Sequence, residues 1–203
     1  NVKASNVRLE VKAAGGKLDV APLSANLYDG RLAGALSVNA NNNQVALKQS
    51  LTNVNINPLM KDAIDKDLLE GRGNVAVDVT TAGTTVAALK KGLNGTASMN
   101  LRDGAIKGIN LAKTFRETKA VFTTRKDAVQ QAKQTEKTDF SELTGTFRIA
   151  NGVARNDDLS MKSPFIRLGG AGDINIGEDR MDYLAKASVV ASAGGQGGKD
   201  LDH

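Results

Sequence analysis

The sequence predicts an α+β fold that is mainly β. The expected core is a curved antiparallel sheet, a meander forming a groove or an open-barrel-like surface. One long amphipathic helix and one or two short helices pack against it. Three observations point there: apolar and polar residues alternate over most of the chain, turn dipeptides separate the alternating runs, and only three segments carry helical spacing. A period of two sends the apolar members of a strand to one face and the charged ones to the other. Parallel strands covered by helices read instead as continuous apolar runs, so clean alternation indicates antiparallel strands with one solvated face.

Strands are read along most of the chain. Val7, Leu9 and Val11 interleave with Arg8, Glu10 and Lys12, and Leu32, Gly34, Leu36 and Val38 continue the pattern. The same period recurs at Val45/Leu47, Val54/Ile56, Val75/Val77/Val79 and Leu93/Gly95/Ala97/Met99/Leu101. It returns at Leu143/Gly145/Phe147/Ile149, Ile166/Leu168, Ile174/Ile176 and Met181/Tyr183/Ala185/Ala187/Val189. Asp29-Gly30, Asp103-Gly104 and Asn151-Gly152 supply tight turns with positive φ between these runs, and Asn41-Asn42-Asn43 supplies another polar turn. A Leu-x-Gly opening repeats at Leu32, Leu69, Leu93 and Leu143, each heading a hairpin-sized unit of a long meander.

Three segments break the alternation. Pro58 to Leu69 places Leu59, Ile64, Leu68 and Leu69 near helical spacing, with Asn57 as N-cap, Pro58 at the first helical position, and Gly71 and Gly73 as stops. Thr84 to Leu93 predicts a short helix ending near Gly92. The long helix is expected from about Asn110 to Gln134, where Leu111, Phe115, Phe122 and Val129 recur at spacings of four and seven. Between Lys107 and Lys137 eight basic residues stand against three acidic ones, so this stretch carries the whole net charge of +5.

Composition excludes several chemistries. With 203 residues and 40% hydrophobic content the chain can bury one sizeable core. No cysteine is present, which removes disulfides, thiolate metal sites and cysteine nucleophiles. The single histidine is His203, so neither a Ser-His-Asp triad nor a histidine metal cage is available. No run of about 18 apolar residues is found, and none of the segments reads as a membrane-spanning helix. Residues 1–193 are expected to form a single β-rich domain. Residues 194–203 read as a flexible glycine-rich tail, in which His203 can be a tag remnant. The chain opens Asn1-Val2-Lys3 and reads as a segment of a longer protein.

Against these residues a resemblance can be placed. LNGTASMNLRDGAIKGINLAKT, from Leu93 to Thr114, resembles the C-terminal periplasmic region of the AsmA family. LSANLYDGRLAGALSVNA, from Leu23 to Ala40, looks like that family's hairpin of leucine, tyrosine and glycine. ELTGTFRIANGVARNDDLSMKSPFIRLGGAGDINI, from Glu142 to Ile176, is similar to its closing strands. The motifs are glycine and leucine spacings, specific in combination and weak singly, and they carry no catalytic residue. The resemblance implies a Gram-negative envelope protein, periplasmic and tethered to the inner membrane by an N-terminal anchor. It implies a role in outer-membrane biogenesis and phospholipid homeostasis or transport, similar to bridge-like lipid transfer proteins.

Two readings of the candidate site residues stay open. Val75, Val77, Val79, Ala97, Met99, Leu101, Phe147, Ile149, Ile166, Leu168, Ile174 and Ile176 line an apolar groove for a lipid, or they meet the helices in an ordinary closed core. Lys113, Arg116, Lys119, Arg125, Lys126 and Lys133 face anionic head groups or a membrane surface, at up to about 1 kcal/mol each. Alternatively they form the solvated side of a docked helix. Basic residues interleaved with stacking aromatics are missing, which argues against nucleic acid. Asp157-Asp158 and Glu178-Asp179 read as surface acids at turns, without a base or metal-ligand companion. Gly169-Gly170-Ala171-Gly172 lies between strands rather than opening a helix, and reads as a turn or bulge. No enzyme, cofactor or metal is therefore expected. The expected partner is a phospholipid or other envelope lipid. The alternative is a protein-interaction or scaffold module of outer-membrane protein or lipopolysaccharide assembly, using sheet edges near Val7–Val11 and 181–190.

Overall fold

The computed structural model describes residues 3–107, 122–123, 137–164 and 166–190. In chain order the elements are β1 (Ala4–Ala14), β2 (Lys17–Leu27), β3 (Gly30–Asn39), β4 (Gln44–Asn55), α1 (Ile56–Ile64), β5 (Leu69–Ala82), α2 (Val86–Lys91) and β6 (Asn94–Lys107). They continue with β7 (Phe122–Thr123), β8 (Lys137–Ala150), β9 (Val153–Lys162), β10 (Ile166–Asn175) and β11 (Arg180–Val189). All strands join one curved, unclosed antiparallel sheet in the order β1-β2-β3-β4-β5-β6-β8-β9-β10-β11-β7. The meander is therefore unbroken across ten full strands, and only the two-residue β7 departs from sequence order.

The hairpins close through left-handed backbone. Gly15 and Gly16 join β1 to β2 with φ of +59° and +79°, and Asn151 and Gly152 join β8 to β9 with +49° and +78°. Tyr28 and Asp29 do the same between β2 and β3 at +50° and +61°. A tyrosine rarely adopts this region, and two contacts hold it there. Its carbonyl accepts from the Asn55 amide at 2.7 Å, and its hydroxyl donates to Asp62 Oδ2 at 2.9 Å.

Both short helices are present, with one boundary moved. Thr85 caps α2 by accepting from the Ala88 amide at 3.1 Å, and Gly92 ends it as expected. In α1 the N-cap is Asn55 rather than Asn57, because β4 runs straight into the helix. Pro58 falls in the first turn, where amides lack an intrahelical acceptor and its missing N–H costs nothing. Asn57 spends its side-chain amide on Asp67 Oδ1 (2.7 Å) and the Leu69 carbonyl (3.2 Å), bracing the loop after the helix. The helix stops at Asp65, in the left-handed region at φ +53°, so Leu68 lies in the connection, Leu69 opens β5, and Gly71 and Gly73 lie inside that strand.

The long amphipathic helix expected over 110–134 is not supported, and the fold is more β-rich than an α+β arrangement. Phe122 and Thr123, in the middle of that stretch, form β7 and pair with Ala185 and Leu184 of β11. Aromatic and β-branched residues suit a strand, and the outer side of β11 offers unpaired backbone groups. The rest of that stretch lies outside the described residues. Asp103-Gly104 is also not a hairpin turn. It sits inside β6, where Asp103 at φ +51° marks an irregularity against Glu70 and Arg72 of β5. A Cβ on Gly104 would stand 2.0 Å from the Glu70 carbonyl oxygen and 2.6 Å from the Phe140 ring, so only glycine lets β5 and Phe140 approach.

Two apolar clusters fill the sheet's inner face. The first joins Ile56, Leu101, Phe140, Leu143, Met161, Ile166 and Leu168, with Leu59 and Met60 of α1 packed against it. The second joins Val79, Ile149 and Ala154, with Leu47, Val77, Ala97, Phe147, Ile174 and Ile176 around it. Leu101 and Met161 are wholly buried. Truncating Leu101 to alanine is expected to cost about 2–5 kcal/mol, because strands on both sides hold the vacated space open. Urea unfolding of Leu101→Ala should show a lowered midpoint with an unchanged slope.

Candidate functional site

Register converts the alternating sequence into one apolar surface. A single line of paired residues crosses all ten full strands: Val11, Val20, Leu36, Leu47, Val79, Gly95, Ile149, Ala154, Ile174 and Met181. Every position is apolar or glycine. At about 4.8 Å between strands, the line runs roughly 40 Å. A parallel line joins Val54, Gly73, Leu101, Leu143, Met161, Leu168 and Ala187 from β4 to β11. The opposite face is polar, as in the line Lys48, Asp78, Thr96, Arg148, Arg155, Asp173 and Asp182. There Arg148 and Arg155 stand side by side, each neutralised by an acid, Asp157 at 3.4 Å and Asp173 at 3.2 Å.

The apolar face is closed at one part and open at another. Of the twelve groove candidates, Val79, Leu101, Ile149, Ile166 and Leu168 are buried among the protein's own side chains. Val75, Val77, Ala97, Met99, Phe147, Ile174 and Ile176 are half-buried beside them. All twelve belong to the two clusters of this one face. At β1 the same surface is open: Val7, Leu9 and Val11 remain 51–53% exposed, and Leu18 of β2 is 37% exposed. The six basic candidates, Lys113, Arg116, Lys119, Arg125, Lys126 and Lys133, lie outside the described residues.

Charge holds α1 over the closed part. Lys107, at the end of β6, meets Asp67 at 2.7 Å and Glu70 at 3.0 Å, while Lys61 of α1 stands 3.5 Å from Asp67. Hydrogen bonds from Lys107, then Asn57, hold the Asp67 carboxyl down at about 2. Beside α1, an open cleft of about 820 Å³ is lined by Lys3, Asn26, Tyr28, Arg31, Pro58 and Asp62, among others. Burial, then the hydrogen bond to Asp62, raises the pKa of Tyr28.

One polar island interrupts the apolar face, and the sequence alone did not single it out. Asn156 is wholly buried. Its amide donates to the Thr146 carbonyl and to Asp158 Oδ1, each at 2.9 Å, and its oxygen accepts from the Tyr183 hydroxyl. Room comes from β10: a Cβ on Gly170 would lie 2.6 Å from the Tyr183 ring, so the ring lies over bare backbone. Asp157 and Asp158 thus sit within β9 rather than at a turn, where a register shift opposite Gly170 and Gly172 takes up the extra residue. Hydrogen bonds from the Thr146 hydroxyl and amide lower the pKa of Asp158. Burial, reinforced by the nearby Asp158 charge, pushes the Tyr183 phenol up to about 12. The signal available in sequence was the run of glycines one strand before Tyr183, which has no meaning until register aligns them.

Comparison with known proteins fits this architecture. The AsmA family model matches residues 1–159. The chain belongs to the AsmA family. It is similar to Protein AsmA of Escherichia coli (strain K12), with 23% identity over 194 residues. That alignment covers 95% of this AsmA-family chain and 31% of the relative's length. No solved structure matches the chain.

Two pH windows follow. Asp67 is depressed to about 2, below its ordinary value near 3.8, so its contribution is complete above about 4 and is lost as pH falls toward 2. Asp67→Asn should therefore flatten acid unfolding in that interval. Tyr183 is raised from 10 to about 12, so stability is complete below 10 and drains away as pH rises to 12. Tyr183→Phe should remove that alkaline loss. It should also cost about 1–3 kcal/mol at neutral pH by leaving Asn156 Oδ1 without its donor. Urea midpoints measured across both intervals check the two variants.

Proposed function

We propose that this AsmA-family chain is a non-enzymatic bacterial envelope domain that shelters acyl chains of phospholipid on the apolar face of its open sheet. The observation that supports the reading is the unbroken apolar line across ten strands, buried in the middle of the sheet and uncovered at β1. A sixteen-carbon tail in water costs roughly 10 kcal/mol or more, at about 0.8 kcal/mol per methylene. A strip of aliphatic side chains several strands wide offsets much of that. Family membership supports an envelope-related role. Placement in the periplasm, tethering to the inner membrane, and service to outer-membrane biogenesis and phospholipid homeostasis or transport belong to the same proposal.

The burial gradient reassigns the roles of the groove candidates. Leu101, Val79, Ile149, Ile166 and Leu168 serve as floor and core, because their surfaces are already spent on neighbours. Lipid contact falls to the open side, at Leu9, Val11, Leu18 and Leu36, with Val77 and Ala97 where the trough deepens. An arginine on the open side disrupts loading without touching the core.

Native mass spectrometry of the protein purified from bacterial envelope membranes tests this. Phospholipid adducts are expected on the wild-type chain. Leu9→Arg combined with Leu36→Arg should lower their abundance about tenfold or more, the loss that follows from removing some 1.4 kcal/mol of binding. The β-sheet circular dichroism should be unchanged. Absence of adducts, or equal loading of the folded double variant, would defeat the trough. An adaptor reading, in which a sheet edge binds another protein, would then take its place.

A further inference from the structure

The polar face of the sheet is not uniform in charge. One line of paired residues crosses five neighbouring strands, β5, β6, β8, β9 and β10, as Arg72, Arg102, Glu142, Lys162 and Arg167. It holds four cations and one anion. The line from Lys48 to Asp182 on the same face holds three of each. On β6 the two lines are six residues apart, at Arg102 and Thr96, which is roughly 20 Å at about 3.3 Å per residue. They act as separate fields, because charges are screened over about 8 Å at physiological salt.

The basic row is under-compensated by its surroundings. Arg72 stands directly opposite Arg102, and Lys162 opposite Arg167, so two of its cross-strand pairs are like-charged, an arrangement that costs stability. Its own acid, Glu142, lies 3.5 Å from Lys162, and Arg72 reaches the exposed Asp29 at 3.6 Å. Arg102 donates to Asn53 Oδ1, and Arg167 to the carbonyls of Ser163 and Ile166, all neutral acceptors. Among the described residues neither of these two arginines has an acid within ion-pair distance. Arg102, Lys162 and Arg167 are exposed, and Arg72 is half-buried.

We propose that this row docks the polar face of the sheet onto an anionic lipid bilayer, whose acidic head groups supply the charge that the row lacks. A bilayer fits better than a small anion, because the cations are spread over four strand spacings, roughly 19 Å of open face, rather than gathered around one point. It fits better than nucleic acid, because the row has no aromatic residue on which bases stack. Each cation brought to such a surface strengthens partitioning about fivefold. Docking uses the face opposite the apolar strip, so it does not depend on acyl-chain binding.

Co-sedimentation of the full chain with vesicles tests the docking, with circular dichroism to verify that each variant is folded. The wild-type chain should bind vesicles of phosphatidylglycerol and phosphatidylcholine in equal parts, less so as salt rises, and should not bind pure phosphatidylcholine. Arg102→Glu combined with Arg167→Glu should weaken binding about tenfold or more. Lys48→Glu combined with Arg148→Glu makes the same change in net charge on the balanced line and should weaken it far less. If charge reversal unfolds the sheet, the corresponding pairs of glutamine substitutions remove the same cations and should differ in the same direction. Equal loss from the two lines overturns the proposal, since net charge alone would then govern binding. Equal binding to both kinds of vesicle, or binding to neither, overturns it as well. Native mass spectrometry should find the same phospholipid adducts on the wild-type chain and on R102E/R167E, so docking and trough are tested independently.

Discussion

The structure depends on keeping one face apolar while the strands bend. A side-chain period of two means that a single inserted residue turns every later side chain to the wrong side. β-Bulges absorb such insertions, and here they do so repeatedly. Val20 and Leu23 both face inward across a register shift in β2, as do Leu51 and Val54 in β4 and Asn156 and Leu159 in β9. Each pair is three residues apart, which in a regular strand would put its members on opposite faces. The extra residue is taken up locally, the strand bends, and the apolar line passes on without interruption.

Closure of that face is uneven, and the causes are local. Around β6 to β10, α1 contributes Ile56, Leu59 and Met60, and the first cluster fills to complete burial at Leu101 and Met161. The Lys107–Asp67–Lys61 contacts tie the helix and its following loop to the end of β6. Midway between the clusters the Asn156–Tyr183 pair occupies space that glycines in β8 and β10 leave free. Among the described residues, neither a helix nor a cluster reaches the apolar side chains of β1.

Much of this was legible in sequence because alternation is a strong signal when one face is wet. Eight of the eleven strands were anticipated from their period, all but β2, β7 and β9, and so were α2 and the Asn151-Gly152 turn. The errors share a cause. Asp103-Gly104 looks like a hairpin turn because a bulge uses the same left-handed residues as a turn. The helix predicted over 110–134 followed from spacings of four and seven, which do not register that the backbone of β11 can recruit Phe122 and Thr123 as a strand. Asn57 and Pro58 resemble a helix start, yet β4 had already delivered the chain into the helix two residues earlier. The groove candidates lie in the two clusters of one face, but the sequence could not rank them by exposure.

What the sequence determined by itself was facing: which residues share a side, and that the strands run antiparallel. These are properties of short stretches, set by sterics and by the free-energy cost of exposing apolar groups. What only the tertiary structure decided was depth and neighbourhood. Val7 and Leu101 carry the same alternating signal, yet one is half exposed and the other fully buried, because burial is a sum over neighbours that are distant in the chain. The Asn156–Tyr183 hydrogen bond and the α1 brace arise in the same way, from the order in which ten strands come to lie side by side.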